Sequence, residues 1–280
     1  EKMKIKNRLS IIWIIAVMAL VIPAAALADS VGWVCGLEGE STIERPGKGS
    51  VAAIVGIGVE MGDVISTSPD GRIKILFVDD SVVSLGADTR VKISEFVFDP
   101  ANKDRHSLLE LLGGKLRLLV GKLFGVETNV KVQTPTAVAG VSGTIFAIDY
   151  SPEKNLTRVL TIEGAVAVSS ANPSLNGLFT VTAGEITIVQ RDEFPEEART
   201  ATSEELQSLM GGTEVSNKAD LSQMPGRGGE IKDNPLIGSD NDAFGAAFTD
   251  SEKTPAQGAS ATEFDAYVIE TDAVLDVDLP

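Results

Sequence analysis

Short runs of β-branched and aromatic residues, each ended by turn residues, fill the chain from position 31 to position 190. The run at residues 72–78 lies between Pro69-Asp70-Gly71 and Asp79-Asp80, which are turn formers. Further predicted strands cover residues 129–132, 144–150, 157–162, 165–169, 178–182 and 185–190. Many short strands between Gly, Asp, Asn and Pro turns are typical of antiparallel sandwiches. We therefore predict an all-β fold, an antiparallel β-sandwich or jelly-roll-like domain over residues 29–191.

Two stretches depart from simple alternation. Val91 and Ile93 are followed by Phe96 and Phe98, so the alternation breaks at Ser94-Glu95, which predicts a bulge. Residues 107–120 are rich in leucine at a spacing that also suits a helix, but Gly113-Gly114 divides them. A two-glycine step between apolar runs favours a hairpin, so we predict two strands there.

A short helix is predicted to close the domain within residues 192–212. Thr202 and Glu205 fit a capping box, and Leu206, Leu209 and Met210 share one face, which we expect to pack on the sheet. Gly211-Gly212 ends the helix.

Beyond this helix, residues 213–280 are predicted to form a largely disordered acidic tail, because they contain too few apolar residues to offset the entropy of ordering. The apolar residues at 267–277 leave three readings open. They are compatible with a short strand, a partner-binding segment or a solvated end.

The amino-terminal residues predict export. Lys4, Lys6 and Arg8 precede an apolar run at residues 11–22, and Ala26-Leu27-Ala28 supplies small residues for cleavage. The alternative is a retained anchor, but this run is well short of the roughly 20 residues that span a bilayer. We therefore predict a signal peptide at residues 1–28, no membrane span after its cleavage, and a periplasmic or secreted protein.

Charge is unevenly distributed along the chain. The formal net charge is −16, and residues 192–280 contain 20 acidic and 5 basic side chains. Neither part of the chain has the basic surface that nucleic acid or anionic lipid requires. Nucleic acid is therefore not an expected partner.

The sequence offers little for catalysis or metal binding. Cys35 and His106 are the only residues of their types, so neither a disulfide within the chain nor a zinc or haem ligand set is expected. Cys35 is predicted to be buried, and His106 to lie in a polar loop. The candidate carboxylates, Asp63, Asp79, Asp80 and Asp88, all occupy predicted turns. We predict no catalytic residue, no cofactor and no metal site; calcium at Asp79-Asp80 or residues 240–242 is a minor alternative.

Two blocks of the sequence resemble the FecR domain family, named for a bacterial ferric-citrate transport regulator. The first runs from Gly62-Asp63 through Asp70-Gly71-Arg72 to Asp79-Asp80-Ser81, and the second is Thr134-Pro135-Thr136-Ala137-Val138-Ala139-Gly140-Val141-Ser142-Gly143-Thr144-Ile145-Phe146. The motif residues are Gly62, Asp63, Asp70, Gly71, Arg72, Asp79, Ser81, Thr134, Pro135, Gly140, Gly143, Thr144 and Phe146. Their residue types favour structural roles in turns and bends.

The sequence departs from the family pattern at two positions. Asp80 stands where the family usually has Gly, so we expect the left-handed conformation there, which Asp tolerates. Ser142 stands where a basic residue is common, so any charge interaction made by that residue is expected to be lost.

The resemblance implies a non-catalytic interaction module of the cell envelope, connected to signalling. We expect a stand-alone extracytoplasmic domain that binds an envelope protein. One alternative is a protein that binds glycan or a small ligand, although the sequence has few aromatic residues for a binding platform. Another is a structural component that assembles through residues 267–277.

Overall fold

The computed structural model describes residues 30–121 and 127–215. They form 17 strands and one α-helix. The first nine strands are β1 Ser30–Glu38, β2 Ser41–Arg45, β3 Gly49–Ala52, β4 Gly58–Glu60, β5 Val64–Thr67, β6 Arg72–Phe77, β7 Val82–Leu85, β8 Arg90–Asp99 and β9 Asp104–Leu119. The rest are β10 Glu127–Gln133, β11 Ala137–Val141, β12 Ile145–Ser151, β13 Leu156–Glu163, β14 Ala165–Ser170, β15 Phe179–Thr182, β16 Glu185–Gln190 and β17 Arg199–Thr200. The helix is α1 Ser203–Met210. The predicted all-β class with a short carboxy-terminal helix is confirmed. The predicted signal peptide and most of the predicted tail lie outside the described residues.

The strands form two layers that share β9. Sheet 1 has the order β4-β1-β6-β7-β9-β12-β13-β16-β17. Sheet 2 has the order β3-β2-β5-β8-β9-β10-β11-β14-β15. The pairings are antiparallel except for β9 with β10, which is parallel. Side chains from both sheets form one apolar core, in which Ile43 and Phe146 are fully buried.

The predicted hairpin at Gly113-Gly114 is wrong. The leucine-rich stretch is one strand, β9, whose first part pairs with β8 in sheet 2 and whose last part pairs with β12 in sheet 1. Gly114 lies at the transfer point with φ of +82°, and a Cβ there would lie 2.6 Å from the carbonyl oxygen of Asp88. The two glycines therefore let one strand pass between layers instead of reversing it.

Several local expectations are confirmed. The register of β8 against β9 shifts between Ile93 and Glu95, where the sequence predicts a bulge. Asp80 has φ of +65°, the left-handed conformation expected at that position. Cys35 is buried. His106, in contrast, lies within β9 and not in a loop, because residues 104–110 pair with both β8 and β10.

The helix begins as its sequence predicts. Thr202 and Glu205 form the reciprocal capping box, and Leu209 packs with Ala147, Leu160 and Ile186 on the outer face of sheet 1. Hydrogen bonds from Arg199 and from the backbone N–H of Thr202 lower the pKa of Glu205 to about 2. Burial continues past the helix as far as Val215, three residues beyond the predicted end of the helical segment.

Candidate docking surface

The Asp79 motif residue holds a buried ion pair. The Nε of Arg105 donates to the Asp79 Oδ2 at 2.8 Å, and both side chains are almost fully buried. Ser81 donates to the other carboxylate oxygen from its backbone N–H, at 3.0 Å, and from its hydroxyl. Arg105 also donates to the Gly121 carbonyl at 2.7 Å. These contacts join the β6–β7 turn to β9 and engage both carboxylate oxygens of Asp79.

Asp63 is buried beside the end of β2. Its Oδ2 accepts the Glu60 backbone N–H at 2.9 Å and lies 3.4 Å from the Nε of Arg45. Its Oδ1 is buried and has no hydrogen-bond partner. Burial raises the pKa of the Asp63 carboxyl, against the lowering effects of the Glu60 N–H and Arg45. Gly62 precedes it with φ of +90°, so this turn requires glycine.

The Asp70-Gly71-Arg72 turn supports the end of sheet 1. A Cβ on Gly71 would lie 2.3 Å from the Glu40 carbonyl oxygen, so only glycine fits there. Ser68 donates to Asp70 at 2.6 Å, which lowers the pKa of that carboxyl. Arg72 binds Glu38 at 2.9 Å and the Gly212 carbonyl at 3.1 Å, which holds the segment after α1 to the sheet.

The second motif block is also internal. The hydroxyls of Thr134 and Thr136 both contact the buried Thr157 hydroxyl, at 2.7 and 2.6 Å. Pro135 separates the two threonines in the turn between β10 and β11. This hydroxyl cluster satisfies buried polar atoms without charge.

The remaining residues of that block shape the passage from β11 in sheet 2 to β12 in sheet 1. Gly143 and Thr144 make this turn, and the Thr144 hydroxyl donates to the Ala165 carbonyl at 3.0 Å. Phe146 is buried in the core. Gly140 does not occupy a tight approach, because a Cβ there would meet nothing closer than 3.9 Å.

The carboxylates considered for catalysis do not form a shared site. Asp79 is paired with Arg105, whereas Asp63 lies beside a different arginine, Arg45. Asp80 and Asp88 hold left-handed turn positions. Within residues 30–121 and 127–215, no group of three or more His, Cys, Asp or Glu side chains is arranged to hold a metal ion. In the same ranges, no helix has the length and apolar character needed to cross a membrane.

Among the described strands, sheet 2 ends at β15 and at β3, and these two edges are differently constructed. At β15, the Glu185 carboxylate accepts the Thr182 backbone N–H at 2.8 Å and the Thr182 hydroxyl at 2.7 Å. The Phe194 ring lies against Phe179, with 6.3 Å between ring centroids. Both features shield that edge.

The other edge is β3 with the loop that follows it, and we call residues 49–55 the β3 edge. Among the described strands, β3 pairs only with β2, and its four residues are all exposed. Val51, Ile54 and Val55 are 38%, 61% and 45% exposed, respectively. No charged side chain occurs from Gly49 to Val59. Natural edge strands normally carry charges, prolines or covering segments that prevent strand addition, and the β3 edge has none of these within its own sequence.

The signal for this surface was present in the sequence as an uncharged run, but the run resembles a core strand. Only the strand order shows that β3 lies at the end of sheet 2. The motif residues, which the family pattern emphasises, are distributed through turns and core and do not converge on a common surface.

A comparison with known proteins finds a family model that matches part of the chain. Residues 63–167 match the family model described as "FecR protein". No curated protein matches the chain. Two similar solved structures, at 1.65 and 2.50 Å resolution, are of a "putative anti-sigma factor" from Parabacteroides distasonis ATCC 8503. Each is 21% identical with a TM-score of 0.43 and covers 53% of this chain. The chain spans 65% and 64% of the length of those two proteins, which is less than two thirds. The match at residues 63–167 contains both motif blocks from Asp63 onward, so this part of the chain is similar to the FecR family, as its motifs predict.

Proposed function

We propose that this protein is an exported, non-catalytic interaction module of the cell envelope, and that the β3 edge binds an extended segment of a protein partner. The similarity of residues 63–167 to the FecR family supports a role connected with envelope signalling. The sequence of residues 1–28 supports export.

The exposed, uncharged β3 edge is the observation that carries the binding role. A partner strand that adds to β3 gains main-chain hydrogen bonds, while side-chain pockets beside the edge provide selectivity. Val51 points to the core side of sheet 2, because it is in register with the fully buried Ile43. An apolar side chain of the incoming strand would extend the core over Val51.

The acidic residues of the chain have a separate role in this proposal. Residues 192–280 hold most of the negative charge, which speeds encounter with a basic partner and repels acidic ones. The short-range contacts at the β3 edge provide affinity, and the charge selects which partners approach.

Site-specific photo-crosslinking tests the binding surface. A photoreactive phenylalanine analogue replaces Ile54 in the full chain, and a control chain carries it at Leu178 on the opposite edge. The two positions are matched in exposure, at 61% and 58%. Both chains are irradiated with an envelope extract of the source organism, with and without a Val51→Lys substitution.

The proposal expects one protein to be crosslinked from position 54 and not from position 178, with the yield reduced about tenfold by Val51→Lys. Equal yields from both positions, or no sensitivity to Val51→Lys, would contradict it. If no protein crosslinks from either position, the protein-binding role fails and the glycan or small-ligand alternative replaces it.

A further inference from the structure

The residues of the β3 edge can contact the same residues of a second copy of the chain without charge repulsion. The chain has a net charge of −16, most of it in residues 192–280, so two copies repel each other overall. The uncharged stretch from Gly49 to Val59 is an exception. Lys48 and Glu60, which border it, are paired with each other at 2.8 Å. Two copies that meet here bring no unpaired charge from these residues into contact.

Strand geometry restricts how two β3 edges can meet. A two-fold axis perpendicular to the sheet pairs them antiparallel and keeps the core side of each sheet on the same side. Directly opposed residues must then point to the same face. Since Val51 faces the core side with Ile43, one allowed register sets Val51 opposite Val51 of the second copy.

This register suits the paired segment, residues 49–53. Ser50 then opposes Ala52 of the second copy, and Gly49 opposes Ala53. All of these side chains are small and uncharged, so the two backbones can approach to the ordinary strand spacing of about 4.8 Å. Beyond the paired segment, the same register sets the exposed Ile54 opposite Lys48 of the second copy, whose ammonium group is held by Glu60.

We propose that two copies of this chain associate through antiparallel β3–β3 pairing, with Val51 opposite Val51, and that this pairing hides the edge from other partners. The inference rests on the proposed function because it concerns regulation of the same edge. Binding of a partner strand and self-association are mutually exclusive. A protein that is dilute in the envelope therefore exposes its edge, and a concentrated one masks it.

We expect the association to be weak, because the contact is short. β3 has four residues, and so short a contact buries less than the roughly 1,200 Å² typical of stable complexes. We therefore expect a dissociation constant of about 10 to 100 µM, within the range of weak and reversible contacts. Such a dimer exchanges rapidly with a partner strand.

Salt gives the pairing a distinguishing response. The contact itself is uncharged, whereas the two copies carry large negative charges that repel each other. Added salt screens this repulsion, so association should strengthen as salt rises from about 50 to 500 mM. A contact made by opposite charges would weaken instead.

Sedimentation velocity on the full chain from about 1 to 300 µM tests the proposal. The variants are Val51→Lys and, as the matched control, Val97→Lys. Val51 and Val97 are 38% and 37% exposed, and the chemical change is identical. Amide hydrogen exchange at residues 49–53 reports which strand is covered.

The expected result is a concentration-dependent dimer that strengthens with salt, with slower exchange at residues 49–53 in the dimer. Val51→Lys should weaken association about tenfold or more, while Val97→Lys should not change it. A parent chain that stays monomeric at the highest concentration overturns the proposal, as does equal weakening by both variants or protection at another strand. Failure here, with crosslinking from position 54 intact, would leave the proposed function standing; a dimer without any crosslinked partner would contradict the proposed function alone.

Discussion

The two ends of sheet 2 differ in how their exposed backbone is protected. At β15 a carboxylate, Glu185, binds the Thr182 backbone N–H, and Phe194 lies beside the strand. At β3 the sequence from Gly49 to Val59 has neither a charge nor a proline. One sheet therefore combines a guarded edge with an unguarded one, which indicates that the chain can protect an edge and does not do so at β3.

The largest expected effect concerns the buried ion pair of Arg105 and Asp79, which lies in the interior and at neither edge of sheet 2. Arg105→Met removes the buried cation that pairs with Asp79. A buried charge left without its partner lowers the unfolding free energy by about 3–5 kcal/mol. Chemical denaturation measures this loss. We expect crosslinking from position 54 to persist wherever the variant stays folded, because Asp79 and Arg105 do not belong to the β3 edge. A loss below about 1 kcal/mol would show that the ion pair does not hold the β6–β7 turn to β9.

A smaller effect is expected from opening the guarded edge. Glu185→Ala removes both acceptor contacts to Thr182, and each ordinary hydrogen bond contributes about 1 kcal/mol or less at an exposed site. The Thr182 amide should exchange with solvent faster, and the unfolding free energy should fall only slightly. Unchanged exchange at Thr182 would contradict the guarding role of Glu185, and with it the difference between the two edges.

The smallest effect concerns Asp63, whose carboxylate lies 3.4 Å from Arg45 at the base of the β3 edge. Arg45 is in register with Gly49 of β3. Burial raises the pKa of Asp63 above its ordinary value, so its ionised form is disfavoured in the folded protein. This cost in unfolding free energy is absent at pH values below the pKa of Asp63 in the unfolded chain. It is complete at pH values above the pKa of Asp63 in the folded protein. Asp63→Asn should therefore gain stability relative to the parent as pH rises from acidic to neutral. Denaturation across that pH range measures the trend; a relative loss of stability with rising pH would contradict it.

The sequence predicted local features better than connections. The capping box at Thr202, the bulge after Ile93 and the left-handed Asp80 each depend on a few neighbouring residues, and all three are present. Gly113-Gly114 was misread because a glycine pair serves equally in a hairpin and at a transfer between sheets. The choice depends on β12 and β8, which lie far away along the chain.

The candidate surface was hidden from sequence reasoning for a similar physical reason. An uncharged run such as Gly49 to Val59 is usual for a core strand, and only the strand order reveals it as an edge. Arg105 was likewise missed, because its polar neighbours Asp104 and His106 suggested a loop. In the structure, alternation along β9 buries Arg105 against Asp79.

We propose that β3 is a docking edge whose exposed residues serve binding and not folding. The most direct measurement compares Val51→Lys with Val97→Lys in the full chain, recording both unfolding free energy and partner crosslinking from position 54. We predict that both variants stay within about 0.5 kcal/mol of the parent in unfolding free energy, as surface substitutions usually do, and that only Val51→Lys reduces crosslinking, by about tenfold. Equal crosslinking in the two variants, or loss of stability together with crosslinking in Val51→Lys, would contradict it.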